Sequence, residues 1–169
     1  MMGKKRLSAA ALAMVTIPIL MFGGATPASA ADADVTWTSA DGNGDCLRHD
    51  DDNTRRVFTY PASMPTWQKC RGGWSDSVQW HDDNSNLDTP DGAWAEKTPG
   101  NNGQCMAAWQ DQVYLEPCSS PVNWYQQWYE IKVDQYHWKL QNRMSGRFLT
   151  ADVNGYVSAQ QGGAGQLWS

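Results

Sequence analysis

The sequence has no C-x-x-C pair, no convincing helical periodicity and, after Phe22, no apolar run long enough to cross a bilayer. The first absence leaves zinc or thioredoxin-like chemistry without support. The second makes helix scarce, since no window repeats its apolar residues about every 3.6 positions. Basic residues are few as well, with 13 Lys and Arg against 18 Asp and Glu. His49, His81 and His137 show no metal-ligand spacing and are expected to be exposed.

The N-terminus carries Lys4, Lys5 and Arg6 without an acid, then a nearly continuous apolar stretch from Leu7 to Phe22, then Ala28-Ser29-Ala30. A basic start, an apolar core and small residues at a cleavage site predict a secretory signal over residues 1–30. As a membrane anchor the stretch is short of the ~20 residues a span needs. Cleavage after Ala30 leaves 139 of the 169 residues, enough for one domain over 31–169. It removes three of the 13 bases and none of the 18 acids, leaving 10 against 18 and a net charge of −8. Such a surface repels phosphate backbones and anionic lipid, so nucleic acid and membranes are not expected partners.

Four cysteines remain, Cys46, Cys70, Cys105 and Cys118, and an even count behind a signal predicts two disulfides. Ten tryptophans are more than a core of this size requires, since each buried indole already removes about 150–250 Å² from water. Some are therefore expected to serve a surface.

Three segments repeat one order of landmarks. The first opens at Trp37, turns at Asp41-Gly42-Asn43-Gly44, continues Asp45-Cys46-Leu47, and reaches Cys70 and then Gln79-Trp80. The second opens at Trp94, turns at Pro99–Gly103, continues Gln104-Cys105-Met106, and reaches Cys118 and then Gln126-Gln127-Trp128. The third opens at Trp138, turns at Asn142–Gly146, continues Arg147-Phe148-Leu149, and passes Ser158 to Gln166-Leu167-Trp168. The units span about 35–82, 92–133 and 136–169. Phe148 and Ser158 stand where the other two carry cysteines, so both halves of a disulfide are lost together. That paired loss selects Cys46–Cys70 and Cys105–Cys118, each contributing about 3 kcal/mol. The glycine ahead of each Cys or Phe suits a turn requiring positive φ. Val113–Leu115, Trp128–Val133 and Tyr156–Ser158 read as strands. A unit this short cannot bury its apolar face alone, but three together can. The expected fold is all-β, three pseudo-symmetric four-strand repeats forming a barrel capped by hairpins.

At these cysteine pairs and Q-x-W-like ends the chain resembles the ricin-B-type β-trefoil lectins, from about Val35 to Ser169. The first end is irregular, because Val78-Gln79-Trp80 puts Gln one place late. The third unit, from Ser145 to Gly155, also resembles the repeats of fascin-like trefoils. The resemblance implies that Trp80, Trp128 and Trp168 are core. Trp37, Trp94 and Trp138 are also read as core, leaving Trp67, Trp74, Trp109 and Trp124 as candidate surface aromatics.

The resemblance further implies sugar sites built from an Asp after the C-L pair, an aromatic platform and an amide near Q-x-W. Here the Asp position holds Arg48, Ala107 and Thr150, the platform position Gln68, Glu116 and Tyr156, and the amide position Val78, Gln126 and Gln166. Only the third unit offers all three groups, as Asp152, Tyr156 and Gln166. The second could combine Trp109, Tyr114 and Gln126, whereas the first lacks a site of the family type. The implied partner is a glycan or polysaccharide, or alternatively a protein held by a trefoil with degenerate sugar sites.

Other chemistry finds no support. Asp41–Asp45 and Asp82–Asp88 resemble calcium loops but lack the glycine at the sixth place, so no metal or other cofactor is expected. Asp50-Asp51-Asp52 beside Arg55-Arg56 reads as a solvated insertion. Gly73-Trp74-Ser75-Asp76-Ser77 lacks the last glycine of a nucleophile elbow, and no catalytic residue is assigned. The expectation is a secreted carbohydrate-binding domain that is not an enzyme.

Overall fold

A computed structural model describes residues 33–50, 54–73, 76–88, 91–100 and 103–169. The expected signal segment, Asp51-Asp52, Trp74-Ser75 and Asn101-Asn102 lie outside the described residues. Each unit turns at its glycine: Gly44, Gly103 and Gly146 adopt φ of +68°, +54° and +66°, two residues ahead of Cys46, Cys105 and Phe148. A side chain would be strained there, which is why glycine stands in all three turns.

The described strands are β1 (Ala33–Val35), β2 (Arg48–Asp50), β3 (Val57–Phe58), β4 (Asp76–Ser77), β5 (Trp80–Asp83), β6 (Ala93–Lys97), β7 (Gln104–Trp109), β8 (Gln112–Pro117), β9 (Trp128–Lys132), β10 (Trp138–Asn142), β11 (Phe148–Ala151) and β12 (Val157–Gln160). A three-residue 3-10 turn, Trp124–Gln126, is the one helical element among the described residues. No described helix is long and apolar enough to cross a membrane. The ladder runs β6-β7-β8-β12-β11-β10-β9 and closes on itself through β6–β9, a ring of seven strands, with β5 and β1 added beside β6. β3, β2 and β4 form a separate small sheet. The fold is thus all-β and closed, but its strands do not divide evenly into three sets of four.

The interior is organised by three indoles. Trp80, Trp128 and Trp168 are fully buried. Their Nε1 groups donate to the carbonyls of Leu47 (3.1 Å), Met106 (2.9 Å) and Leu149 (3.2 Å), the residue after Cys46, Cys105 or Phe148 in each unit. The cysteines pair as Cys46–Cys70 and Cys105–Cys118, as expected from the repeat. Trp37 and Trp94 are buried, whereas Trp138 is only partly so, lying edge-on to Trp37 at 6.3 Å on the margin of the core. Trp67, Trp109 and Trp124 are exposed, and Trp74 is not described.

The hairpins β2–β3, β7–β8 and β11–β12 hold one another. Arg55 and Arg56 are tied to β8 through Leu115 N to Arg55 O (2.9 Å) and the Arg56–Tyr114 bridge. Their backbone is thus paired rather than part of a freely solvated insertion, although the Arg56 side chain stays exposed. Thr59 N and Ala62 N donate to Gly155 O and Val153 O. Gly155 packs so tightly that a Cβ there would lie 2.2 Å from Thr59 O. Ser158 pairs with Gln112.

In the first unit the position expected to carry a sugar-binding Asp is filled inward. Arg48 is fully buried, donating Nε to Asp45 Oδ2 at 2.9 Å and stacking 4.0 Å over Tyr60. Asp45, also buried, accepts from Tyr60 N and Cys70 N, each at 2.7 Å. Burial alone would raise its pKa, but the hydrogen bonds from Arg48, Tyr60 and Cys70 outweigh burial and lower it. His49 is buried too, against expectation, edge-on to Trp80 at 5.0 Å with Nε2 on Gln79 O. It follows Arg48 in β2, and alternation turns it toward the indole.

Two outcomes follow from this packing. Trp128→Phe removes the N–H that satisfies Met106 O and leaves a small void, so denaturant unfolding should show a loss of about 3 kcal/mol. Arg48→Met strands a buried carboxylate and should cost about 4 kcal/mol at neutral pH. Because the folded pKa of Asp45 is depressed, its contribution is present above the ordinary value of 3.8 and lost as pH falls below it. Urea titrations at descending pH should therefore show a smaller acid-side loss in Arg48→Met than in the wild type.

Candidate functional site

Side chains alternate across the β7–β8 ladder. Met106, Ala108 and Leu115 face the main core, so Cys105, Ala107 and Trp109 on β7 share the other face with Gln112, Tyr114 and Glu116 on β8. Ala107 pairs with Tyr114, Trp109 with Gln112 and Cys105 with Glu116. The chain after Cys118 folds back over this face. It is held by Gln126, whose Nε2 donates to Glu116 Oε1 (2.7 Å) and Pro117 O (2.9 Å), while its Oε1 accepts from Ser119 N and Oγ (3.0 Å each). Asn123 caps the 3-10 turn by accepting from Tyr125 N. Tyr125 thereby lies against Trp109, ring centroids 5.1 Å apart and tilted 57°.

The result is an outward patch with two aromatic rings, one of them the half-exposed Trp109, beside the Tyr114 hydroxyl and the Glu116 carboxylate. Burial, with the nearby Glu116 and Tyr125, pushes the Tyr114 phenol up, so it stays a neutral donor at physiological pH. Rings of this kind can cover the C–H face of a pyranose while a phenol and a carboxylate bond its hydroxyls. The structure brings together Trp109 and Tyr114, which the sequence reading grouped with Gln126. Gln126 is 1 % exposed and fully engaged, so it positions Glu116 and the covering loop rather than facing a ligand. Tyr125 had no signal in the repeat pattern, because it belongs to the irregular loop between the second Cys and the Q-x-W end.

In the third unit the structure brings Asp152 and Tyr156 together but takes up the acid in the turn. Asp152 Oδ1 accepts from Asn154 N (2.8 Å) and Tyr156 N (2.9 Å). Tyr156 is exposed. Gln166 is 2 % exposed, and its amide bonds Thr150 Oγ1 and Gln160 O. Arg48, Ala107 and Thr150, at the three expected Asp positions, are all buried.

The two oxygen-rich runs are likewise engaged. Asp45 is held by Arg48, and Asp41 Oδ1 accepts from Leu167 N. Asp83 pairs with Lys97, and burial, which would raise its pKa, is outweighed by hydrogen bonds from Lys97 and Ser85 that lower it to about 2. Asp88 bonds Trp124 Nε1 (2.6 Å) and Arg143 (3.1 Å), and Arg143 also stacks 4.6 Å over the Trp124 ring. Trp124 is thus tied into an ion-pair network.

No protein-family model matches the chain, and no curated protein matches it in sequence. Among solved structures it is similar to SeviL bound to asialo-GM1 saccharide, with 15% identity and a TM-score of 0.58 over 81% of this chain and 94% of that one. It is also similar to Polyporus squamosus lectin bound to a human-type influenza-binding epitope, with 14% identity and a TM-score of 0.57 over 82% of this chain and 48% of that one. A third likeness is to the designed threefold-symmetric protein ThreeFoil, with 19% identity and a TM-score of 0.52 over 80% and 95% of the two chains. At these identities the likeness is one of fold, and the fold is that of the ricin-B-like β-trefoils.

Proposed function

We propose that this chain is a secreted carbohydrate-binding domain without catalysis of its own, built from three copies of one trefoil unit, with its glycan contact at Trp109 and Tyr125. The observation that carries this reading is the tilted pair of rings on the outward β7–β8 face, beside Tyr114 and the Gln126-anchored Glu116. Saccharide-bound lectins of the same fold support the ligand class. Two disulfides and the expected signal segment support an extracellular location. Glycan-array screening followed by calorimetric titration should find a binding glycan. Trp109→Ala or Tyr125→Ala should weaken it at least tenfold, about 1.4 kcal/mol, while Tyr156→Ala leaves it unchanged. Absence of any glycan response, or loss of binding with Tyr156→Ala alone, contradicts this placement.

A second reading, a protein-interaction scaffold, is favoured by one observation. The β11–β12 hairpin exposes Val153 and Tyr156, at 60% and 62%, while its turn satisfies its own polar groups. Under that reading a stoichiometric protein co-purifies with the chain from culture medium, and Tyr156→Asp releases it. If the same protein stays bound to Tyr156→Asp, the hairpin is not the contact.

A further inference from the structure

The loop that closes over the β7–β8 face carries a second exposed indole, Trp124, which the Trp109–Tyr125 contact does not use. Its 3-10 turn, Trp124–Gln126, packs against both β7 and β10. Tyr125 turns its ring toward Trp109 on β7, and its carbonyl accepts from Asn142 Nδ2 at the end of β10 (2.8 Å). Trp124, one residue earlier, turns instead to Arg143, whose guanidinium lies 4.6 Å from the centroid of the indole.

Ordering a surface side chain costs conformational entropy. Trp124 is held in place although it stays 45% exposed. Its Nε1 donates to Asp88 Oδ2 (2.6 Å), while Arg143 supports one face of the ring. Both supports are themselves fixed. Asp88 Oδ1 accepts from Gln127 Nε2 (3.2 Å) and from Arg143 Nη1 (3.1 Å). Arg143 Nη1 also donates to Gln127 Oε1, and its Nη2 pairs with Asp91 Oδ2 (3.0 Å), which accepts in turn from the Tyr129 hydroxyl (2.8 Å). Gln127 is fully buried, so the network is anchored in the core. Hydrogen bonds from Trp124 and Gln127 hold the Asp88 carboxyl below the ordinary carboxylate range, so it stays charged at physiological pH and keeps its bond to the indole.

Two carboxylates meet one guanidinium here, which leaves the surroundings unfavourable to an anion. A neutral ligand with an apolar face fits better. An indole fixed on one side and open on the other can stack on the C–H face of a pyranose, and ordering the ring beforehand lowers the entropic cost of binding. Trp124 and Tyr125 cannot serve the same sugar ring. A 3-10 turn has about 3.0 residues per turn, so consecutive side chains leave its axis about 120° apart. A ligand that touches both platforms must present two sugar rings and bend around the turn.

We propose that Trp124 is a second stacking subsite, so that the glycan held at Trp109 and Tyr125 is an oligosaccharide of at least two residues with its next ring on Trp124. This inference rests on the glycan reading above and specifies the ligand class of that site. Arg143 is a positioning residue, since it fixes the indole from the side away from the sugar.

Calorimetric titration of the purified protein with β-linked oligomers of glucose, galactose and N-acetylglucosamine, from one to four residues long, tests the proposal. In the series that binds, affinity should rise at least tenfold from the single sugar to the longer members. Trp124→Ala should abolish that gain and leave the single sugar within about twofold of the wild type, whereas Trp124→Phe, which keeps a ring over Arg143, retains most of it. Trp109→Ala should weaken every length. Trp124→Leu, which fills part of the same volume, takes the place of Trp124→Ala if that variant folds poorly. If Trp109→Ala weakens every length but Trp124→Ala leaves the gain intact, or weakens all lengths alike, the subsite is overturned and the contact at Trp109 stands. If no oligomer binds, or binding ignores Trp109→Ala, the glycan reading itself fails and the subsite falls with it.

Discussion

An indole brought into an apolar interior carries one N–H that must find an acceptor, and this requirement organises the molecule. Trp80, Trp128 and Trp168 meet it in the same way, each on the carbonyl of the residue that follows the Cys or Phe of its own unit. That bond joins the two ends of a unit across 19 to 33 residues. It fixes which strand face turns inward, and hence what the outer face can carry. The turn glycines deliver the chain to that carbonyl, and the disulfides of the first two units sit one residue before it. The third unit reaches the same arrangement with Phe148 and Ser158, so the disulfides reinforce the geometry without defining it.

The outer faces of the three segments differ. In the first unit Arg48 and Asp45 fill the space with a buried ion pair. In the third, the turn consumes the acid and the core consumes the amide. Among the described residues, the second unit alone combines a long regular hairpin, β7–β8, with a loop folded back over its outer face. Two aromatic rings meet there because Gln126 closes the loop through four hydrogen bonds, and the small, buried Ala107 shares the strand face with Trp109. The three aligned segments thus carry unequal outer faces, and the proposed glycan contact rests on the second.

Much of the fold was legible because repetition makes position meaningful. The disulfide pairing, the glycine turns and the strands around Val113, Trp128 and Val157 followed from aligning three segments, and the resemblance pointed to Trp80, Trp128 and Trp168 as core, although Trp138, also read as core, lies at its margin. Interactions that do not repeat were hidden. Tyr125 belongs to an irregular loop, so no spacing marks it. His49 looked exposed because a lone histidine carries no sign of the indole it meets. Arg48 looked like a missing site residue, since its partner Asp45 reads equally well as a turn acid. The Trp-x-acid spacing that ends at Asp82, Glu96 and Glu130 on β5, β6 and β9 was visible in the sequence, but alternation along one strand says nothing about convergence between strands. Only the closed ladder brings those three acids to one place.

Hydrogen exchange of the indole N–H groups, resolved one by one by NMR, reports most directly on the constraint from which this organisation follows. The Trp80, Trp128 and Trp168 protons should exchange together and only through global unfolding, while those of Trp67 and Trp109 exchange as in free solution. Rapid or unequal exchange among the three buried indoles would mean that the units do not share one interior.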